Sequence, residues 1–191
     1  MEETRQDCIH ACTVAVIVRV LNLVPPQDYA RLAALILRQP KRKEEILQPV
    51  WGRMGYWAEL VDPKVGLVSG RVVVLEAVRR EGMRRLWKGP TPAEAAELAR
   101  LAEDGHLVVT DRGKVRVEST VETSRNTQLY RTLPHEIGHL IDVGEKSHPE
   151  KEAFAHRYAD EFRARCAASG HIPFLRIESW EEDGLRSCDF V

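Results

Sequence analysis

Along the sequence, the hydrophobic pattern shifts from one period to another. Val115 and Val117 alternate with Lys114, Arg116 and Glu118, which predicts a half-buried strand. Gly105 to Thr110 predicts a second strand, and Asp111-Arg112-Gly113 between them is a hairpin signal. From Asn126 onward apolar residues recur every three or four positions, the helical period. Thr91 followed by Pro92 predicts a capped helix running to Glu103. Ala11 to Val24 is an apolar run broken by Arg19 and Asn22, and reads as a buried helix. A further helix is expected from Gln27 to Arg38, and a strand from Arg71 to Leu75 around Val72, Val73 and Val74. Residues 62–70 and 88–90 read as connections.

These elements predict an α+β protein with a helix-rich N-terminal half. The expected division is an N-terminal region over 1–89, a core over 90–178 and an acidic tail over 179–191. Pro134 constrains the Asn126 to Val143 stretch. It lacks an N–H and its ring opposes the carbonyl four residues back. That stretch is therefore either one kinked helix or a helix starting near Thr132 as its N-cap, with Gly144 as its stop.

Composition narrows the function classes. The protein has 191 residues, 28 basic and 29 acidic, for a net charge of −1. That balance gives no electrostatic case for nucleic acid or a membrane surface. The cluster from Arg38 to Glu45 reads as a solvated loop and helix start. Met1-Glu2-Glu3 is not a secretory leader, and Ala11 to Val24 is too short and interrupted to span a bilayer. Cys8, Cys12, Cys166 and Cys188 form no disulfide framework. Cys8 and Cys12 with His10 suggest a second metal site, but core thiols at i and i+4 are the better reading. A cytoplasmic setting is expected.

The chemistry concentrates at His135-Glu136-Ile137-Gly138-His139. On a helix, positions i and i+4 share a face, so both imidazoles can reach one ion. Glu136 can then act as a base on water. Leu133, Ile137, Leu140 and Ile141 give that helix an apolar flank, and Gly138 implies close packing. A third ligand is expected on the segment from Glu150 to Phe162. Ala155, Tyr158, Ala159 and Phe162 form its inward face, and Glu152 lies on it. Glu150 is rotated by about 200° and suits the helix dipole instead. His148, in a short polar loop, is a weaker candidate.

The H-E-x-x-H motif followed by E-x-x-A-x-x-[FY]-A resembles the gluzincin branch of zinc metallopeptidases. It is especially similar to small intracellular ImmA/IrrE-like members, over residues 105 to 165. The resemblance implies a zincin-like core of small antiparallel sheet, active-site helix and glutamate-ligand helix. It implies one zinc per chain held by His135, His139 and Glu152, with Glu136 as catalytic base, and a peptide or protein substrate. It also implies a sheet edge above the active-site helix where substrate backbone could pair; the hairpin over 105–118 is the expected source of that edge. His156 stands where many relatives carry Asn or Asp. Asp142 and Glu145 stand where the metzincin pattern needs Gly and His, so that branch is not supported.

The expected activity is hydrolysis of peptide bonds by a zinc metalloendopeptidase. His156 is expected beside the ligands or at the oxyanion. Tyr158, Tyr130 and His171 are further oxyanion candidates. A zinc-binding regulatory or sensor protein on the same scaffold is the alternative, and a helical protein with a chance motif is the third reading.

Overall fold

A computed structural model describes residues 1–47, 50–62, 66–141 and 147–171. It opens with β1 (Cys8–Ile9), α1 (Val14–Leu21), a 3-10 turn (Pro26–Asp28), β2 (Leu32–Arg38) and α2 (Arg42–Leu47). Next come β3 (Gly52–Asp62), β4 (Gly66–Glu76), β5 (Val78–Arg79), β6 (Met83–Lys88) and α3 (Pro92–Glu103). The rest is β7 (Leu107–Asp111), β8 (Lys114–Ser119), α4 (Val121–Thr127), a π turn (Gln128–Thr132), α5 (Leu133–Ile141) and α6 (His148–Ala168). One sheet has the order β2-β4-β3, with β2 parallel and β3 antiparallel to β4. A second, antiparallel sheet has the order β6-β8-β7, and β1 pairs with β5. The class is mixed α and β. Among the described residues no helix is long and apolar enough to cross a membrane.

Several expectations hold at the level of elements. Thr91 caps α3, its hydroxyl accepting from the Glu94 N–H at 3.3 Å while Glu94 Oε2 accepts from the Thr91 N–H at 2.7 Å. β7 and β8 are joined by Arg112 and Gly113 with φ of 47° and 74°. Both are left-handed, as a two-residue hairpin with the primed twist requires.

The N-terminal half, however, is built mainly of strands. Leu32–Arg38 is β2, although Leu and Ala favour helix. It lies in parallel register with Arg71–Glu76 of β4, and sheet burial overrides local propensity there. The expected connection over 62–70 falls instead within a long hairpin, since β3 runs to Asp62 and β4 starts at Gly66. Its exposed Trp57, Val61 and Leu67 do not alternate with polar residues as a half-buried strand would. The hairpin strand β8 is central in its sheet. The edge lying against α5 is β3, which was not among the expected strands.

Pro134 yields the kinked-helix alternative and not a helix capped at Thr132. The helix from Val121 continues through the π turn into α5. The Leu133 N–H bonds to the Gln128 carbonyl five residues back. Widening the helix by one residue removes the opposition between the proline ring and an α-helical carbonyl. Gly144 and the tail over 179–191 lie outside the described residues, as does Cys188. Cys8, Cys12 and Cys166 are buried free thiols.

The main core draws on both sides of residue 89: Val20, Leu37 and Leu75 meet Leu133, Ile137 and Phe162. A smaller cluster of Trp51, Leu98, Leu101, Val115 and Val117 lies between α3 and the second sheet. Buried polar groups tie the layers. Gln128 donates to the Trp51 carbonyl at 3.0 Å and the Glu76 carbonyl at 2.6 Å. Arg131 donates to Asp104 at 3.0 Å and Asp160 at 2.8 Å, joining α3, the π turn and α6. Arg163 donates to the other oxygen of Asp104 at 2.9 Å.

His106 is only 4% exposed, between Ser119 Oγ at 2.7 Å and Thr127 Oγ1 at 2.8 Å. Burial, reinforced by the Arg85 charge, pushes its pKa down to about 4. An unfolded histidine titrates near about 6.5. Between these values the unfolded state takes up a proton that the folded state refuses, so stability falls as pH drops from about 6.5 to about 4. The loss should be on the order of 3 kcal/mol, and below about pH 4 this contribution should level off. Urea unfolding across that range should show a shallower pH dependence for His106→Gln than for the wild type. Equal slopes would place the titration elsewhere.

Candidate metal centre

α5 and α6 meet at their smallest residues. A Cβ on Gly138 would lie 2.9 Å from Ala155 Cα and 3.3 Å from Ala155 Cβ. Ala155 is fully buried, with Ala159, Phe162 and Cys166 along the same face. This is the inward face read from the sequence, and it fixes the register that brings Glu152 to α5. Glu150 stays in the first turn, accepting from Ser147 Oγ at 2.7 Å and the Ser147 N–H at 2.9 Å.

His135 Nε2 and His139 Nε2 are 3.1 Å apart. Glu152 Oε2 is 3.4 Å from His135 Nε2, and Glu152 Oε1 is 3.4 Å from His139 Nε2. An ion holding nitrogen and oxygen ligands tetrahedrally at about 2.0–2.1 Å separates them by about 3.3 Å. The two nitrogens and the Glu152 carboxylate, with one oxygen facing each imidazole, are therefore spaced on the scale that one tetrahedral ion requires. Among the described residues this is the one group of His, Cys, Asp and Glu able to hold a metal. Cys8, Cys12 and His10 do not form one. Cys12 bonds Gln128 and His10 Nε2 bonds the Glu2 carbonyl.

His135 is held neutral, as a ligand must be. Burial first, then the neighbouring His156 and His139, push its pKa down to about 3. Glu136, only 8% exposed, is pushed up to about 7 by burial and then by the Glu152 charge. A bond from the Met54 N–H of β3 and the Arg53 charge oppose that rise. A carboxyl poised near neutrality can both accept and return a proton.

The other candidates separate clearly. The His156 ring is 4.5 Å from the His135 ring and lines the same cleft. The Tyr158 hydroxyl donates to Asp28 at 2.6 Å, which engages it away from the ligands. Tyr130 is buried in the core, stacked on Phe162, and donates to the His171 carbonyl at 3.3 Å. His148 is 86% exposed, with Nε2 3.8 Å from Glu152, and stands outside the ligand group.

The cleft beside His135, Glu136 and His156 holds about 270 Å³. Trp51 and Gly52 also line it, as do Arg85, Glu97, Arg100 and Arg131. Sequence reasoning missed all of these. Most come from segments far from the motif, with no local signal; Arg131 alone had one, standing four residues before His135. In comparisons with known proteins, no family model, no curated protein and no solved structure matches this sequence.

Gly138→Ala should force the two helices apart and cost about 1–3 kcal/mol, as overpacking of a tight core does. It should also weaken metal uptake although every ligand remains. Thermal melts and metal titration would check this. Unchanged values in both would show that the close approach is not what seats Glu152.

Proposed function

We propose that the protein is a zinc-dependent metallopeptidase that cleaves peptide bonds in a peptide or protein substrate. One observation carries the reading: His135, His139 and Glu152 form a donor group suited to one ion, and His135 shares a cleft with the buried Glu136 carboxyl, raised to about 7. Two imidazole nitrogens and a carboxylate oxygen suit zinc, and leave a fourth position for water or substrate. The residues fit on that count. His135, His139 and Glu152 would hold the ion, and when bound it would polarise the scissile carbonyl and make water a better nucleophile.

The protein's own groups supply the rest. Glu136 takes the proton of the attacking water and delivers it to the leaving amine. The Met54 N–H and Arg53 keep Glu136 from becoming too weak an acid to ionise at neutral pH. His156, beside His135, donates to the developing oxyanion or steadies the ligand ring. The unpaired edge of β3 offers backbone groups along which an extended substrate can lie. The zincin-like core and the cytoplasmic setting belong to the same proposal.

Purified wild-type protein should carry one zinc per chain, and His139→Ala should lose it; equal metal content in both would reject the site. Glu136→Gln should keep the metal and lose hydrolysis on the order of 10²-fold or more. Loss of both would mean that Glu136 is a structural support. A metal-loaded wild type that cleaves nothing in a diverse peptide library would favour a zinc-binding sensor.

His156→Ala should lower turnover about 10- to 100-fold while retaining most of the metal. A variant as active as the wild type would assign His156 to packing alone.

A further inference from the structure

A second, more enclosed cavity of about 30 Å³ adjoins the metal-centre cleft. Val50, Trp51 and Arg85 line both, so the Trp51 ring and its partner form the shared wall. Trp51 is 9% exposed, and its indole Nε1 is buried without a hydrogen-bond partner. Arg53 also lines the small cavity, and its Nε is likewise buried without a partner. The Arg85 guanidinium lies 4.7 Å over the Trp51 ring. Burial lowers its pKa, with Glu97 acting against that.

An indole N–H and a guanidinium Nε–H can only donate. A buried donor left unmet costs about 1–3 kcal/mol, and two in one cavity point to an occupant that accepts at more than one atom. The acids on the same wall are already engaged. Glu76 takes Arg38 at 2.6 Å and Arg53 at 3.1 Å, Glu44 takes Arg38 at 3.1 Å, and Glu45 takes Arg79 at 2.6 Å and Arg5. The free space matches about two oxygen-sized positions, at about 10–15 Å³ for each water-sized group.

We propose that Trp51 Nε1, Arg53 Nε and the Arg85 guanidinium form a carboxylate-binding subsite opening from the metal-centre cleft. Its ligand is a carboxylate, from an Asp or Glu side group or from the carboxy terminus of a peptide. Arg85 supplies the charge, Trp51 and Arg53 the directed donors, and the Trp51 ring holds the Arg85 fork flat. As a part of substrate recognition this rests on the peptidase reading; as a binding site it can be measured without cleavage.

The test follows the Trp51 indole N–H by proton–nitrogen NMR. The signal is assigned as the one lost in Trp51→Phe or, if that variant does not fold, by elimination with Trp57→Phe, Trp87→Phe and Trp180→Phe. Three probes are titrated: N-acetyl-glutamate α-amide, N-acetyl-alanine and N-acetyl-glutamine α-amide. The Trp51 signal should move with the first, with the second, or with both, and not with the third. Which of the two carboxylates moves it identifies the source. Arg85→Met should weaken that binding by about tenfold or more, the scale of a charge-assisted bond. A shift caused equally by the glutamine probe, a shift that survives Arg85→Met, or no shift with any probe would overturn the proposal and leave water as the partner of these donors. Failure here with hydrolysis intact would leave the peptidase reading standing.

Discussion

The contact between Gly138 and Ala155 sets the distance on which the site depends. Two helices ordinarily pack about 8–10 Å apart. Here a glycine on one faces an alanine on the other, with no room for even a methyl group. That closeness lets a carboxylate as short as that of Glu152 reach imidazoles rooted in the opposite helix. The apolar residues around it, Ile137, Leu140, Ala159 and Phe162, lock the register by burial. A bulkier pair at the crossing would leave the same motif in the sequence and no site in the fold.

The same closeness creates an electrostatic problem. Glu136 is buried close enough to the half-exposed Glu152 for its charge to be felt, and neither has a lysine or arginine bound directly to it among the described residues. β3 offsets part of the cost through the Met54 N–H and the Arg53 charge. The sheet edge is thus part of the site's electrostatics as well as its wall. Further out, the paired charges of Arg131, Asp104 and Asp160 fasten the helices that carry the candidate ligands.

The motif and its partner helix were legible because their information is local and periodic. Two histidines at i and i+4, and a stripe of Ala155, Tyr158, Ala159 and Phe162, need only helical geometry to be placed. Thr91 and the Arg112-Gly113 turn were legible for the same reason: capping and left-handed turns are set by a few neighbouring residues. β2 was not, because Leu32 to Arg38 has helical composition and becomes a strand only through its pairing with β4. β3 was hidden more deeply. Its glycines and exposed Trp57 and Val61 give no alternation, so its position beside Glu136 follows from the sheet and not from its own residues. Tyr158 shows the limit within a helix. Its place on the inward face was readable, but Asp28, 130 residues away, decides where its hydroxyl goes.

The π turn at 128–132 also sets the angular phase of the motif. One additional residue in a turn sets every later position back by about 100° relative to an uninterrupted α-helix. Upstream of it, Ser124 and Thr127 are buried; downstream, His135 and His139 face Glu152 of α6. A single unbroken helix could not present both faces in these directions. Removing one residue from the turn would leave the H-E-x-x-H string intact and swing both histidines about a quarter-turn away from Glu152. The widened turn therefore acts as a clocking device for the two histidines.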